Sequence, residues 1–130
     1  MYTYFLVALG SGLGGLARFA LSGCVARHWG ETFPWGTLLV NVSGAFLIGF
    51  FATLTEPGGR VFVSGNGRQF FMTGLMGGYT TFSSFSLQTL TLARDGEWFN
   101  AGANSVFSLV FCLLAVWLGH LLAAALTAHH

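Results

Sequence analysis

The division of this chain into four long apolar segments constrains its fold more than any other feature. The segments cover about residues 3–25, 35–55, 69–93 and 98–125. Each is about 20 residues or longer, which is the length that a helix needs to cross a hydrocarbon core of ~30 Å. Charged residues make up only 7% of the 130 residues, whereas a soluble domain carries roughly a quarter. The sequence therefore predicts an all-α membrane protein with a single transmembrane domain, 1–130, of four transmembrane helices.

The third segment contains residues that are unfavourable in a membrane-spanning helix. Between Gly74 and Thr89 it holds the glycine pair Gly77 and Gly78, together with several hydroxyl side chains. Glycine pairs weaken helices and expose backbone groups, which hydrocarbon tolerates only where protein, an ion or water satisfies them. We therefore expect the third helix to be broken mid-membrane, beside protein or a water-filled path, and we expect the function to reside there.

The arginines of the loops are divided equally between the two sides of the membrane. With four spans, Arg60 and Arg68 lie on one side and Arg27 and Arg94 on the other. The positive-inside rule then favours neither orientation. This balance predicts a dual-topology chain that assembles as an antiparallel homodimer about a two-fold axis in the membrane plane. A chance balance in a short chain with few charges is the alternative.

Two polar residues within the first two spans have competing interpretations. Arg18 either extends its guanidinium to the interface or places a positive charge at an aqueous vestibule that concentrates anions. Asn41, in an otherwise apolar run, must form hydrogen bonds at that depth. It either links two helices or faces an ion path.

Polar side chains form one stripe along the fourth span. Asn104, Ser108 and Cys112 are four residues apart, so they share a helix face. Such a stripe could donate hydrogen bonds to an ion that passes along it. For any single residue, a hydroxyl that bonds back to its own helix is the competing interpretation.

A pair of phenylalanines is embedded among hydroxyls in the third segment. Phe82 and Phe85 are three residues apart and flank Ser83 and Ser84. Phenylalanine in a membrane usually packs in the core, but the positive edge of an aromatic ring can also favour a small anion. The position beside the expected break favours this second role.

The spans contain no aspartate or glutamate, and this excludes several function classes. Proton-coupled and cation-coupled carriers generally need an intramembrane carboxylate. His120, near the end of the fourth span, is the remaining candidate for carrying a proton. HExxH and GxSxG motifs are also absent, so we do not expect an enzyme.

Three segments resemble the Fluc (CrcB) fluoride channel family. They are 14–19 (GGLARF), 36–44 (GTLLVNVSG) and, above all, 74–86 (GLMGGYTTFSSFS). The fourth span is similar too, so the resemblance covers essentially the whole chain. It implies dual-topology, antiparallel homodimers with two parallel fluoride pores and a central structural sodium ion.

The resemblance also implies roles for individual residues. Backbone carbonyls of Gly77 and Thr80 would hold Na⁺, and Arg18 would be the vestibule arginine. Cys112 departs from the pattern, which has a hydroxyl there, and a thiol is a weaker donor. The implied pore residues are Phe82, Phe85, Asn41, Ser83, Ser84, Ser108, Thr37 and Cys112.

The resulting expectation is a channel for passive fluoride export across a bacterial cell inner membrane. The partners would be a second copy of the chain, fluoride and the lipid bilayer, with no nucleic acid. The alternatives are a small dual-topology secondary transporter, either an anion exchanger or a coupled carrier, and an inert dimerising scaffold. The resemblance supplies fluoride, since the residues alone indicate a small anion. His129 and His130 are interpreted as a tag remnant.

Overall fold

The structure, a computed structural model, describes residues 1–30 and 32–128 of the chain. The described residues form helices and contain no strand, which confirms the all-α prediction. In chain order the helices are α1 (Tyr2–Trp29), α2 (Trp35–Leu54), α3 (Gly65–Gln69), a π-helical segment (Phe70–Met76), α4 (Gly77–Tyr79), α5 (Phe82–Arg94) and α6 (Trp98–Ala128). The suggested tag residues, His129 and His130, lie outside the described part.

Three helices, α1, α2 and α6, are long and apolar enough to cross a membrane. The third apolar segment differs, because it is divided among α3, the π-helical segment, α4 and α5. Its helical conformation is interrupted at Thr80 and Thr81, both of which have extended backbone. None of the four pieces is long enough to span a bilayer by itself.

The glycine pair that suggested a break is itself helical. Gly77 has φ −62° and ψ −38°, and both glycines fall within α4. Gly78 instead permits close packing, since a Cβ there would overlap the carbonyl oxygen of Ser11 on α1. The interruption follows at the two threonines.

Close approach of helix backbones fixes how the long helices pack. The most extensive helix pair is α2 with α6, and α1 packs against the π-helical segment and α4. A Cβ on Gly14 would overlap the carbonyl oxygen of Leu75, and one on Gly119 would overlap that of Phe46. In a membrane, lipid is as apolar as the helix surfaces, so the hydrophobic effect does not drive helices together. Small residues allow the close van der Waals packing that does.

Candidate functional site

The interruption between α4 and α5 is the centre of the candidate site. Thr80 has φ −85° and ψ 157°, and Thr81 has φ −150° and ψ 118°. The Thr81 hydroxyl caps α5, because its Oγ1 accepts a hydrogen bond from the Ser84 N–H at 3.1 Å. Threonine is a favoured residue at the N-cap, the position just before the first residue of a helix. We refer to Thr80 and Thr81 as the helix break.

Asn41 on α2 holds the helix break through the backbone. Its Oδ1 accepts from the Thr81 N–H at 2.8 Å, and its Nδ2 donates to the Thr81 carbonyl at 2.9 Å. One amide side chain thus satisfies both backbone groups of an extended residue. Because an asparagine amide has two N–H groups, a second donor remains beyond this pair.

These side-chain bonds replace two bonds of a continuous helix. In an α-helix the Thr81 N–H would donate to the Gly77 carbonyl, and the Ser84 N–H to the Thr80 carbonyl. Here the first N–H donates to Asn41 and the second to the Thr81 hydroxyl. The carbonyls of Gly77 and Thr80, the pair singled out from the sequence, therefore lack the donors that a continuous helix would supply.

A cavity of about 660 Å³ adjoins the helix break and has mostly apolar walls. We call it the site cavity. It lies among α2, the third apolar segment and α6. Seven of the eleven predicted site residues line it. These seven are Asn41, Gly77, Thr80, Phe82, Phe85, Ser108 and Cys112.

The two phenylalanines lie together in the first turn of α5. Their ring centroids are 5.4 Å apart, with 51° between the ring planes. Phe82 is 78% exposed in the single chain, while Phe85 is half-buried. Both line the site cavity, so their rings border the same space as Asn41 and Ser108.

The predicted stripe on α6 is divided between packing and the cavity. Asn104 is buried, and its Nδ2 donates to Thr89 Oγ1 on α5 at 2.9 Å. Ser108 Oγ donates to Asn104 Oδ1 at a long 3.4 Å. Ser108 and Cys112 reach the site cavity, whereas Asn104 acts as a link between α5 and α6.

Four predicted residues lie outside the site cavity. The hydroxyl of Ser83 is 3.4 Å from that of Thr81, and Ser84 contributes its backbone N–H to the cap of α5. Thr37 is buried and lines a second cavity, of about 670 Å³, near the acidic residues Asp95 and Glu97. Within one chain, the second-span threonine and the phenylalanines thus border different spaces.

Arg18, the fourth of these residues, makes a contact that neither interpretation from the sequence anticipated. Its Nε donates to the Gly78 carbonyl at 3.3 Å. In a continuous helix that carbonyl would pair with the N–H of Phe82, which lies beyond the break. The guanidinium therefore complements the partial negative charge at the end of the helical run.

Two residues that hold the site were not identified from the sequence. The Tyr79 hydroxyl lies 2.8 Å from Ser43 Oγ, which makes a second link between α2 and the segment beside the break. Ser43 follows Asn41 by two residues, and Tyr79 precedes Thr81 by two. This matched spacing was a signal, but using it requires knowing that the two segments are neighbours.

The comparisons with known proteins agree with one another. A family model described as "CrcB-like protein, Camphor Resistance (CrcB)" matches residues 5–120. A protein of Opitutus terrae named "Fluoride-specific ion channel FluC" is 65% identical over 128 residues, which cover 98% of this chain and 97% of that protein. A protein of the same name from Rhodospirillum rubrum is 62% identical over 118 residues, covering 91% and 92%. The chain belongs to the CrcB-like protein family.

Proposed function

We propose that this chain forms a fluoride-selective channel, which lets fluoride leave the cell passively across the inner membrane and so lowers cytoplasmic fluoride. The observation that carries the proposal is the site cavity, where an amide, a hydroxyl and two phenylalanine rings border one space beside the helix break. The relatives' shared name, fluoride-specific ion channel, supports the choice of anion.

Fluoride must lose tightly held water to enter such a cavity, since an unpaired charge in an apolar medium is prohibitively costly. The second N–H of Asn41 and the Ser108 hydroxyl supply donors. The 3.4 Å bond from Ser108 to Asn104 is long, so the hydroxyl can turn to an anion at little cost. The edges of Phe82 and Phe85 add weak positive potential. A series of weak contacts along the path lets the fluoride ion pass instead of being held at one site.

The channel unit in this proposal is an antiparallel dual-topology homodimer. Support comes from the equal division of loop arginines and from the exposed apolar faces of the single chain. Phe19 and Phe82, for example, are 79% and 78% exposed. A second copy would cover part of this surface and complete the walls of the site cavity.

A structural sodium ion at the dimer centre is the cofactor that fits the helix break. The carbonyls of Gly77 and Thr80 are the ligands we propose, because both have lost their helical donors to side chains. Hard cations bind oxygen ligands, and two copies would supply four carbonyl oxygens. Bound Na⁺ would neutralise the partial negative charge of these carbonyls.

A secondary transporter is the competing function. Coupling to protons or cations generally requires an intramembrane carboxylate, and all four acidic residues lie outside the apolar segments. The relatives' name describes a channel rather than a carrier. A channel is therefore the better-supported interpretation.

The decisive experiment is reconstitution into liposomes loaded with fluoride, with efflux followed by a fluoride electrode. We expect rapid efflux that is independent of a proton gradient, and no comparable chloride efflux from matched vesicles. Efflux at carrier speed that follows the proton gradient would instead favour the transporter. If correctly assembled protein carries no ion at all, the remaining hypothesis is an inert dimerising scaffold.

A further inference from the structure

One turn of α2 contacts Tyr79, at the end of α4, and both residues of the helix break. Asn41 bonds to the backbone of Thr81, and Ser43 bonds to the Tyr79 hydroxyl. Gly44 lies opposite Thr80, the residue between those two. It is buried, and a Cβ on it would overlap Thr80 Cγ2 and lie 3.2 Å from Tyr79 Cδ2.

The two flanking contacts leave Thr80 little freedom to move. Ser43 Oγ lies 2.8 Å from the Tyr79 hydroxyl and 3.1 Å from the Val40 carbonyl, so it joins Tyr79 to the backbone of α2. Tyr79 is thereby fixed on one side of Thr80 and Thr81 on the other. The Thr80 hydroxyl is also engaged, since it donates to the Met76 carbonyl at 2.9 Å.

We propose that Gly44 is a positioning residue for the channel, because the absence of its side chain sets the place of Thr80. This inference rests on the proposed function and adds a determinant of the same site. A methyl group at position 44 would push against Thr80 Cγ2, and the hydrogen bonds of Tyr79, Thr80 and Thr81 oppose its displacement. The displacement would reach the Thr80 carbonyl and the start of α5, which carries Phe82.

The first test compares Gly44→Ala with Gly102→Ala in fluoride efflux from liposomes. Gly102 is a matched control, since it is also helical and a Cβ there would meet nothing within 4 Å. Overpacking a close contact is strongly unfavourable, so we expect Gly44→Ala to slow efflux by about tenfold or more. The control should match the wild type.

Rescue distinguishes positioning from a general loss of structure. Thr80→Ser removes Cγ2, the atom that meets the new methyl, and keeps both the hydroxyl and the carbonyl. We expect the double variant Gly44→Ala/Thr80→Ser to recover most of the lost efflux, with Thr80→Ser alone as its reference. If Gly44→Ala yields no folded protein, recovery of folding by the double variant is the equivalent result.

A second readout is independent of transport. The Thr81 and Ser84 amides are held by Asn41 Oδ1 and by Thr81 Oγ1. We expect Gly44→Ala to accelerate their hydrogen exchange, and Thr80→Ser to restore protection in the double variant. This result would stand even if the wild type carried no fluoride, so failure of the proposed function can be told apart from failure of this inference.

Two outcomes would overturn the positioning role. One is that Gly44→Ala has the efflux rate and amide protection of Gly102→Ala. The other is that Gly44→Ala is impaired and Thr80→Ser restores neither efflux nor protection, since the obstruction would then lie elsewhere.

Discussion

At the scale of single residues, Asn41 makes the helix link that was one alternative from the sequence, and its place at the cavity is compatible with the other. It joins helices, because its amide bonds to the backbone of Thr81. It also borders the site cavity, where its second N–H can meet an anion. Sequence reasoning located this residue because an amide in an apolar run needs partners. The partners themselves are backbone atoms 40 residues away, and no local pattern reveals them.

Replacing Asn41 with alanine should slow fluoride efflux by about tenfold or more. The change leaves the part-buried Thr81 N–H without its acceptor, at a cost of about 1–3 kcal/mol, and it removes the donor at the cavity. Efflux from liposomes measures the effect, and size-exclusion chromatography checks that the protein still assembles. Asn100→Ala is the matched control, since Asn100 Nδ2 donates to the Glu97 carboxylate and Asn100 does not line the site cavity. Wild-type efflux in Asn41→Ala would remove this residue from the path.

Cys112, which the family resemblance marked as a departure, borders the site cavity with Ser108. If it donates to the passing ion, Cys112→Ser should preserve or increase efflux, because a hydroxyl is the stronger donor. Cys112→Val, which has a similar size and no donor, should lower efflux severalfold. Equal rates in the two variants would show that position 112 only fills space.

At the scale of helices, hydropathy located the three long spans but not the internal structure of the third. The glycine pair suggested a break, whereas Gly77 and Gly78 are helical and the two threonines are extended. Glycine permits both a break and close helix packing. Which of these occurs depends on the neighbouring helix, here Ser11 on α1. The extended backbone of Thr81 is paired by Asn41 on α2, so the position of the break depends on a tertiary contact.

Arg68 shows the same dependence on a neighbouring helix. The sequence placed it in a loop, but it lies in α3 and donates to the end of α2, to Thr55 Oγ1 at 3.0 Å and to the Ala52 carbonyl at 3.2 Å. A cation at a helix C-terminus satisfies free carbonyls there. The sequence shows that Arg68 is a cation, but only the fold shows that it caps the C-terminal end of α2.

Arg68→Gln should therefore lower stability without blocking the path. We expect the free energy of unfolding to fall by about 1–2 kcal/mol, because two charge-assisted bonds at the end of α2 are weakened. Thermal unfolding in detergent measures this as a lower Tm. Arg60→Gln is the comparison, since Arg60 is exposed and donates to the Leu126 carbonyl near the end of α6. A larger loss of Tm in Arg60→Gln than in Arg68→Gln would contradict the capping role.

At the scale of the whole molecule, one chain has little interior of its own. Its largest fully buried side chains are Val40 and Asn104, while many large apolar side chains of α1 and α6 are exposed. Composition was enough to predict a membrane protein, because 7% charged residues is far below the roughly one quarter of a soluble domain. It could not show which surfaces meet lipid and which meet a second copy, since both environments are apolar.

The proposed antiparallel dimer can be tested by fixing each copy in one orientation. Val61→Lys with Phe62→Lys adds positive charge to the loop before α3, at exposed positions. Thr32→Lys with Asp95→Lys adds it to the loops on the other side. Added basic residues in short loops set orientation, so each variant should insert one way. We expect each alone to give no fluoride efflux, and co-expression of the two to restore it.

Two measurements make this test specific to orientation. Protease accessibility of the C-terminus should be mixed in the wild type, uniform in each variant, and opposite between the two variants. Val61→Ser with Phe62→Ser changes the same positions without charge, so it should keep mixed orientation and wild-type efflux. If either lysine variant alone inserts uniformly and still carries fluoride at the wild-type rate, the channel does not need opposed copies. The four carbonyls proposed for Na⁺ would then not come from an antiparallel pair, and the sodium site would have to be rebuilt from one orientation of the chain.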